Sequence, residues 1–221
     1  MSRTPIAICG AGGFGREVRW LIEDVSSQNE EWGFVGFFDD DSSPRRVDSR
    51  FYLGSPDALN DWAGRLAVVF AVGNPVVKRR MIRRVNNPSL SFPTLIHPTC
   101  CLGIPAGSIG EGSIICAGVV ITVDVEIGKH VILNLGCTVG HDSVIGDYSA
   151  LMPAVNVSGE VVIGEAVFLG TGASVANRVE IGRETVVGAG AAVVKSLPAY
   201  CTAVGVPAKP VRVHGQDQKA P

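Results

Sequence analysis

The chain lacks any run of apolar residues approaching the roughly 20 needed to cross a bilayer, and it has no Cys-x-x-Cys pair. It also lacks charge of one sign: 19 Lys and Arg stand against 21 Asp and Glu, a formal net charge of -2. A basic excess is the usual footprint of a nucleic-acid or membrane-surface partner, so neither is expected. Six cysteines (Cys9, Cys100, Cys101, Cys116, Cys137, Cys201) are too sparse for a disulfide-stapled small domain, and several occupy small apolar positions as free thiols do. Residues 1–5 lead directly into a short strand without the pattern of a secretory leader. These features point to a soluble protein of a reducing cytoplasm.

What is present is a ladder. From Ile109 to Val193 every sixth residue is aliphatic, fifteen times in succession. Gly110, Gly128, Gly146, Gly164 and Gly182 follow such residues at intervals of eighteen. Three hexapeptides returning the chain to the same face one level up explain both periods, which is the grammar of a stacked coil rather than of heptads or an ordinary sheet. Five such coils would stand about 24 Å tall at the usual strand spacing of about 4.8 Å.

The first 95 residues follow a different grammar, alternating strands and helices. Residues 6–9 read as a strand, followed by the loop Gly10-Ala11-Gly12-Gly13-Phe14-Gly15 and an amphipathic helix bearing Val18, Leu21, Ile22 and Val25. Residues 34–38 form a second strand running into Asp39-Asp40-Asp41, and residues 66–72 a third, apolar enough to be buried on both sides. Asn74 suits an N-cap and Pro75 the first helical position. The helix they open has Val77, Met81, Ile82 and Val85 on one side, with Lys78, Arg79, Arg80, Arg83 and Arg84 making the rest basic. A small α/β domain with a parallel sheet is expected.

Two places carry chemistry. Gly10, Gly12 and Gly15 fit GxGxxG between a strand and a helix, where backbone N–H groups can meet a phosphate, and Asp39 follows the second strand, where an acid often meets a ribose hydroxyl. So short a domain suits a mononucleotide or nucleotide-sugar better than a full dinucleotide. In the coil, His141 and Asp142 sit at a corner, and eighteen residues further stands Gly159. A histidine beside an acid, under bare backbone, suits proton abstraction with oxyanion stabilisation. Zinc would need converging ligands. His130 and His141 fall on different faces of one coil and no third ligand accompanies them, so no metal is expected.

Taken together, several motifs resemble the NeuD/PglD-type family of sugar acyltransferases over nearly the whole chain. They are Gly10-Ala11-Gly12-Gly13-Phe14-Gly15-Arg16-Glu17, Phe37-Phe38-Asp39-Asp40, Ala71-Val72-Gly73-Asn74-Pro75, Leu95-Ile96-His97-Pro98, Asn134 seven residues before His141-Asp142, and Val204-Gly205-Val206-Pro207-Ala208-Lys209-Pro210. The resemblance implies a Rossmann-like α/β domain (1–95) that holds a nucleotide-sugar, a left-handed parallel β-helix (96–200) and a C-terminal tail (201–221). The polar composition from His214 to Pro221 separately points to disorder at the end. It further implies a homotrimer with acetyl-CoA between neighbouring coils. By position, His141 would be the general base, Asp142 its orienting partner, and Asn134 a positioner of substrate or acetyl group. Gly159 and Ala189 would line the acetyl-CoA groove, with Lys209 near the coenzyme tail, while Gly12, Gly13, Asp39, Asp40 and Gly73 would hold the nucleotide. One departure stands out: the family's second histidine, nine residues after the base, is here Ala150.

The expected reaction is acetyl-CoA-dependent N-acetylation of a nucleotide-linked 4-amino-4,6-dideoxy sugar, UDP- or GDP-linked with dTDP also open, in surface-glycan biosynthesis. Sugar O-acetylation of the sialic-acid type, a non-catalytic nucleotide-sensing trimeric scaffold and a gamma-type carbonic anhydrase are the alternatives.

Overall fold

The computed structural model describes residues 3–29, 31–105 and 108–214. Five parallel strands, β1 (Thr4–Cys9), β2 (Trp32–Phe38), β3 (Tyr52–Gly54), β4 (Leu66–Phe70) and β5 (Leu90–Ser91), form the first sheet in the order β3-β2-β1-β4-β5. β4 is buried along its whole length, as the continuous apolar run requires. The strand order reverses between β1 and β4, which opens a crevice beyond their carboxyl ends.

Helix α1 (Gly13–Asn29) places Val18, Leu21 and Ile22 against the sheet on one side and against Ile114, Cys116, Ile132 and Ala150 of the coil on the other. Each such aliphatic side chain stabilises by about 1.5–3 kcal/mol when fully buried, so the helix joins the two halves through one shared core. His97 reinforces the seam. Its Nδ1 accepts from the Thr99 N–H at 3.1 Å, leaving Nε2–H to donate to Asp24 at 3.0 Å.

Helix α2 (Pro75–Arg84) begins as expected, with the Asn74 side chain accepting from the Val76 and Val77 N–H groups and Pro75 at the first turn. Its outer face differs from the sequence reading. Lys78 is 1% exposed while Val77 is 42% exposed. The reason is that Arg79 donates to Glu165 at 2.9 Å and to Glu184 at 2.7 Å on the coil, which draws this side of the helix inward.

The second half is a left-handed parallel β-helix with three sides. Its first side is an eight-stranded sheet, its second a six-stranded sheet and its third a four-stranded sheet. Strands pair in parallel with partners eighteen residues on, as in Ile132 with Ala150, Thr138 with Asn156 and Val144 with Val162. All fifteen rungs of the aliphatic ladder fall in one core. At the corners, every sixth residue from Gly112 to Gly190 has positive φ. Non-glycine residues such as Asp142, Tyr148 and Glu160 adopt this conformation at a cost of roughly 1–2 kcal/mol each. Hydrogen bonds to the coil below offset it: the Asp142 N–H reaches the Val123 carbonyl at 3.3 Å and the Glu160 N–H that of His141 at 2.8 Å.

The coil is longer at both ends than the ladder. Leu95–Ile96 and Cys101–Leu102 pair with strands nineteen residues on, and Cys201–Val204 pairs with Val186–Val187 sixteen residues earlier. The assignment of residues 201–221 to a tail therefore needs correction for its first part. Cys201–Val204 extends the first side and Lys209–Val213 folds back on it antiparallel. Apolar Cys201 and Ala203 enter the coil core, which explains why the chain stays attached. Residues 215–221 lie outside the described residues. No helix among those described is long and apolar enough to cross a membrane.

Candidate active site

The corner between the second and third sides of the coil follows Thr138–Val139. Gly140 leaves the strand, and an added Cβ there would lie 2.6 Å from the Ser158 carbonyl carbon and 2.7 Å from the Gly159 nitrogen. The two turns are thus stacked in backbone contact. His141 follows, and Asp142 takes the left-handed conformation with φ of 57°. Its carboxylate meets His141 Nδ1 at 2.7 Å. A carboxylate can only accept at this contact, so Nδ1 carries the proton and Nε2 presents a lone pair.

Gly159 stands over the face of the imidazole ring, beside Nε2. An added Cβ at Gly159 would stand 2.6 Å from His141 Nε2 and 2.7 Å from Cε1. The Gly159 N–H makes no hydrogen bond among the described residues, whereas the N–H groups on either side bond to Val175 and His141 carbonyls. The corner therefore offers a proton acceptor and an uncommitted donor within one small space. His141 is 57% exposed, open to incoming molecules.

Asn134, Ala189 and Lys209 lie elsewhere. Asn134 and Ala189 follow strands of the first side and line the corner between the first and second sides. Lys209 stands in the closing hairpin, exposed and paired with Val204. Within one chain a full strand of the second side, about 15 Å at 3.3 Å per residue, separates this corner from His141. Asn134 is buried and its Oδ1 accepts from the Leu135 N–H at 2.7 Å, which shapes the turn. Ala150 is fully buried between Ile132 and Phe168 under α1, so nothing polar occupies that place.

Gly12, Gly13, Asp39 and Gly73 gather at the crevice beyond β1, β2 and β4. The glycines divide by task. A Cβ on Gly15 would collide with the Gly10 carbonyl oxygen, so those two make the turn itself. A Cβ on Gly12 or Gly73 would meet nothing within 4 Å, and one on Gly13 only the tip of Arg16, so their backbone is open to a ligand. Asp39 is already employed: Oδ2 accepts from the Ala11 N–H at 2.6 Å and Oδ1 from the Asp41 N–H at 2.9 Å. It ties the glycine loop to the end of β2, with lone pairs left for another donor. Asp40 is exposed and lines a neighbouring cleft with Asp57, Asn60, Met81 and Arg84.

Two buried polar groups escape sequence reasoning. Among the described residues the Lys78 amine has no hydrogen-bond partner, and burial pulls its pKa down to about 7. His130, stacked on Tyr148 at 5.6 Å between ring centroids, has an Nδ1 without a partner among the described residues, and burial followed by the nearby Lys78 holds its pKa at about 4. Both lie where α2 meets the corner between the third and first sides. A basic residue at i+3 from Pro75 was the only hint in the sequence, and the neighbouring arginines hid it.

Residues 5–85 match the family model described as the PglD N-terminal domain, and residues 160–195 match the bacterial transferase hexapeptide model. UDP-N-acetylbacillosamine N-acetyltransferase of Bacillus subtilis (strain 168) is 37% identical over 115 residues, covering 51% of this chain and 51% of that protein. The match thus spans about half the length of this curated relative. The acetyltransferase domain of PglB from Neisseria gonorrhoeae FA1090, solved in complex with acetyl coenzyme A, superposes with a TM-score of 0.84 at 29% identity, over 95% of this chain and 100% of that one. PerB from Caulobacter crescentus, solved with CoA and GDP-perosamine, gives a TM-score of 0.81 at 32% identity, over 93% of this chain and 96% of that one.

Proposed function

We propose, for a chain that belongs to the NeuD/PglD-type family of sugar acyltransferases, that it transfers acetyl from acetyl-CoA to the 4-amino group of a nucleotide-linked 4-amino-4,6-dideoxy sugar. The observation that carries this reading is the His141–Asp142 pair, with Nδ1 engaged, Nε2 left to accept a proton, and the ring lying beneath the bare backbone of Gly159.

In the reaction the amine nitrogen attacks the thioester carbonyl carbon. The oxygen gains negative charge and is met by the Gly159 N–H. His141 Nε2 takes the proton released from nitrogen, and Asp142 stabilises the imidazolium that results. The carbon–sulfur bond then breaks and the proton passes to the departing CoA thiolate. Holding the two substrates together supplies much of the acceleration.

Residues 1–95 would bind the nucleotide at Gly12, Gly13, Asp39, Asp40 and Gly73, and residues 96–200 would carry the chemistry. Ala189 and Lys209 would meet acetyl-CoA, and Asn134 the substrate or the acetyl group, from a neighbouring subunit. Their separation from His141 within one chain supports a homotrimer, in which the His141 corner of one subunit faces the Asn134 corner of the next. Six free cysteines, four of them buried, support a reducing cytoplasmic setting. Relatives that act on a UDP-sugar or were solved with a GDP-sugar support a substrate of this class and its place in glycan biosynthesis.

The test is to incubate the protein with acetyl-CoA and UDP-, GDP- and dTDP-linked 4-amino-4,6-dideoxyhexoses, beside their 4-hydroxy counterparts, following CoA thiol release and product mass. Acetyl gain on one amino sugar and none on its hydroxyl counterpart is the expected result. Acetyl gain only on hydroxyl sugars, or acetyl-CoA binding without turnover across the panel, overturns the reading.

A further inference from the structure

We propose that Ser143 is a positioning residue for acetyl transfer, its hydroxyl holding the Ser158–Gly159 peptide so that the Gly159 N–H is aimed at the thioester oxygen. This rests on the function proposed above and names a part of its machinery.

Ser143 is fully buried, two residues beyond His141. Its Oγ donates to the Ser158 carbonyl at 3.1 Å, accepts from the Val161 N–H at 3.2 Å and lies 3.3 Å from the His141 carbonyl oxygen. One side chain therefore braces the turn that carries the base against the turn that carries the donor. The Ser158 carbonyl and the Gly159 N–H are two ends of one planar peptide, so fixing the first aims the second. Donation to the carbonyl also polarises the peptide and strengthens its N–H as a donor, on the order of 10–30% per bond.

The same brace occurs twice more. Ser113 Oγ donates to the Gly128 carbonyl at 3.0 Å and accepts from Val131 N–H at 3.0 Å. Ser149 Oγ donates to the Gly164 carbonyl at 2.9 Å and accepts from Val167 N–H at 3.1 Å. Both are fully buried, and both stand at the corner between the third and first sides, away from His141. Stapling one coil to the next is thus common to all three serines. Only at Ser143 is the stapled peptide that of Gly159, the residue whose added Cβ would touch the His141 ring, so the fold supplies its own controls.

The experiment compares Ser113→Ala, Ser143→Ala and Ser149→Ala in the full-length protein. All three should lower the thermal midpoint by a similar few degrees, since each strands a buried carbonyl and a buried N–H. Ser143→Ala alone should lower kcat at saturating substrates, by about tenfold or more, because a donor that has lost its aim forfeits part of what an oxyanion contact supplies. KM for acetyl-CoA should stay within about threefold, and the pH profile of kcat should keep its shape because His141 remains the base. Ser143→Cys, with similar size and a weak donor, should fall between. If Ser143→Ala does not fold, Ser143→Cys against Ser149→Cys carries the same comparison.

Equal kcat in the three alanine variants, or an equal loss in all of them, overturns the proposal. An active parent protein with an unaffected Ser143→Ala defeats this inference alone, whereas a parent inactive on every amino-sugar nucleotide defeats the function it rests on.

Discussion

Replacing Gly159 by alanine should impair acetyl transfer while leaving the fold nearly intact. The backbone at Gly159 lies outside the left-handed region, so an L side chain adds no backbone strain there. The added Cβ would, however, stand 2.6 Å from His141 Nε2, 2.7 Å from Cε1 and 3.0 Å from Cδ2. Ordinary contact begins at roughly 3.5 Å, so the ring must retreat by about 0.9 Å or turn aside. It can do so at small cost, since it is 57% exposed and its one side-chain tether among the described residues is the 2.7 Å bond to Asp142. A penalty to folding below about 1 kcal/mol follows, which in a chain of this size moves the thermal midpoint by no more than about 2–4 °C. Displacing a catalytic group by about 1 Å can cost on the order of 10² in rate. Steady-state kinetics and a thermal melt on the same preparation read both quantities. Gly140→Ala is the companion, because its Cβ would press on rigid backbone at Ser158 and Gly159 rather than on a movable ring. It should lose several degrees of midpoint. Gly159→Ala with more than half the parental kcat, or with a melting loss as large as that of Gly140→Ala, would falsify the stacked geometry of base and backbone.

Other outcomes follow from the seam and the assembly. Lys78→Met should raise the thermal midpoint at pH 7. A pKa lowered from 10.5 to about 7 means that the unfolded chain binds the proton more tightly, a penalty of up to about 5 kcal/mol. That penalty is full below about pH 7 and fades as pH rises toward 10.5, so the parent should gain stability across this window and the methionine variant should not; parallel pH profiles would contradict it. Arg79→Met should lower the midpoint more than Arg84→Met, because Arg79 bridges Glu165 and Glu184 at 15% exposure whereas the Arg84–Asp57 pair is exposed; equal shifts would count against a load on the seam. Light scattering should give three times the chain mass for the active species, and a fully active monomer would refute the shared site.

Much of this fold was legible because its constraint is periodic. Each residue from Ile109 to Val193 in the ladder must fill the same narrow interior, so the sequence repeats what the geometry repeats. The same period placed Gly159 over His141. Legibility ended where the period slips. Spacings of nineteen residues at Ile96–Ile115 and sixteen at Val186–Thr202 keep the strands paired but break the count, so the first and last rungs were hidden. The outward side chains were harder still. Ile114, Ile132 and Ala150 face away from the coil interior, and only the presence of α1 makes them core. Helical periodicity says which residues share a face, not which face meets a second domain, so it leaves Lys78 on the basic side of α2 where the structure buries it. The sequence pattern points Asp39 at a ribose, while the structure also uses it to tie the glycine loop. A carboxylate aimed at a backbone N–H across 28 residues leaves no local mark in the sequence.

The most direct measurement is the pH dependence of kcat for His141→Ala against the parent, with acetyl-CoA and the amino-sugar nucleotide both saturating. A positioned base typically contributes on the order of 10²–10⁴-fold. The variant should fall by that order at neutral pH, and its remaining turnover should climb with pH as more of the sugar amine becomes neutral without help. Turnover close to the parental value at neutral pH would contradict the role of His141 and the reaction built around it.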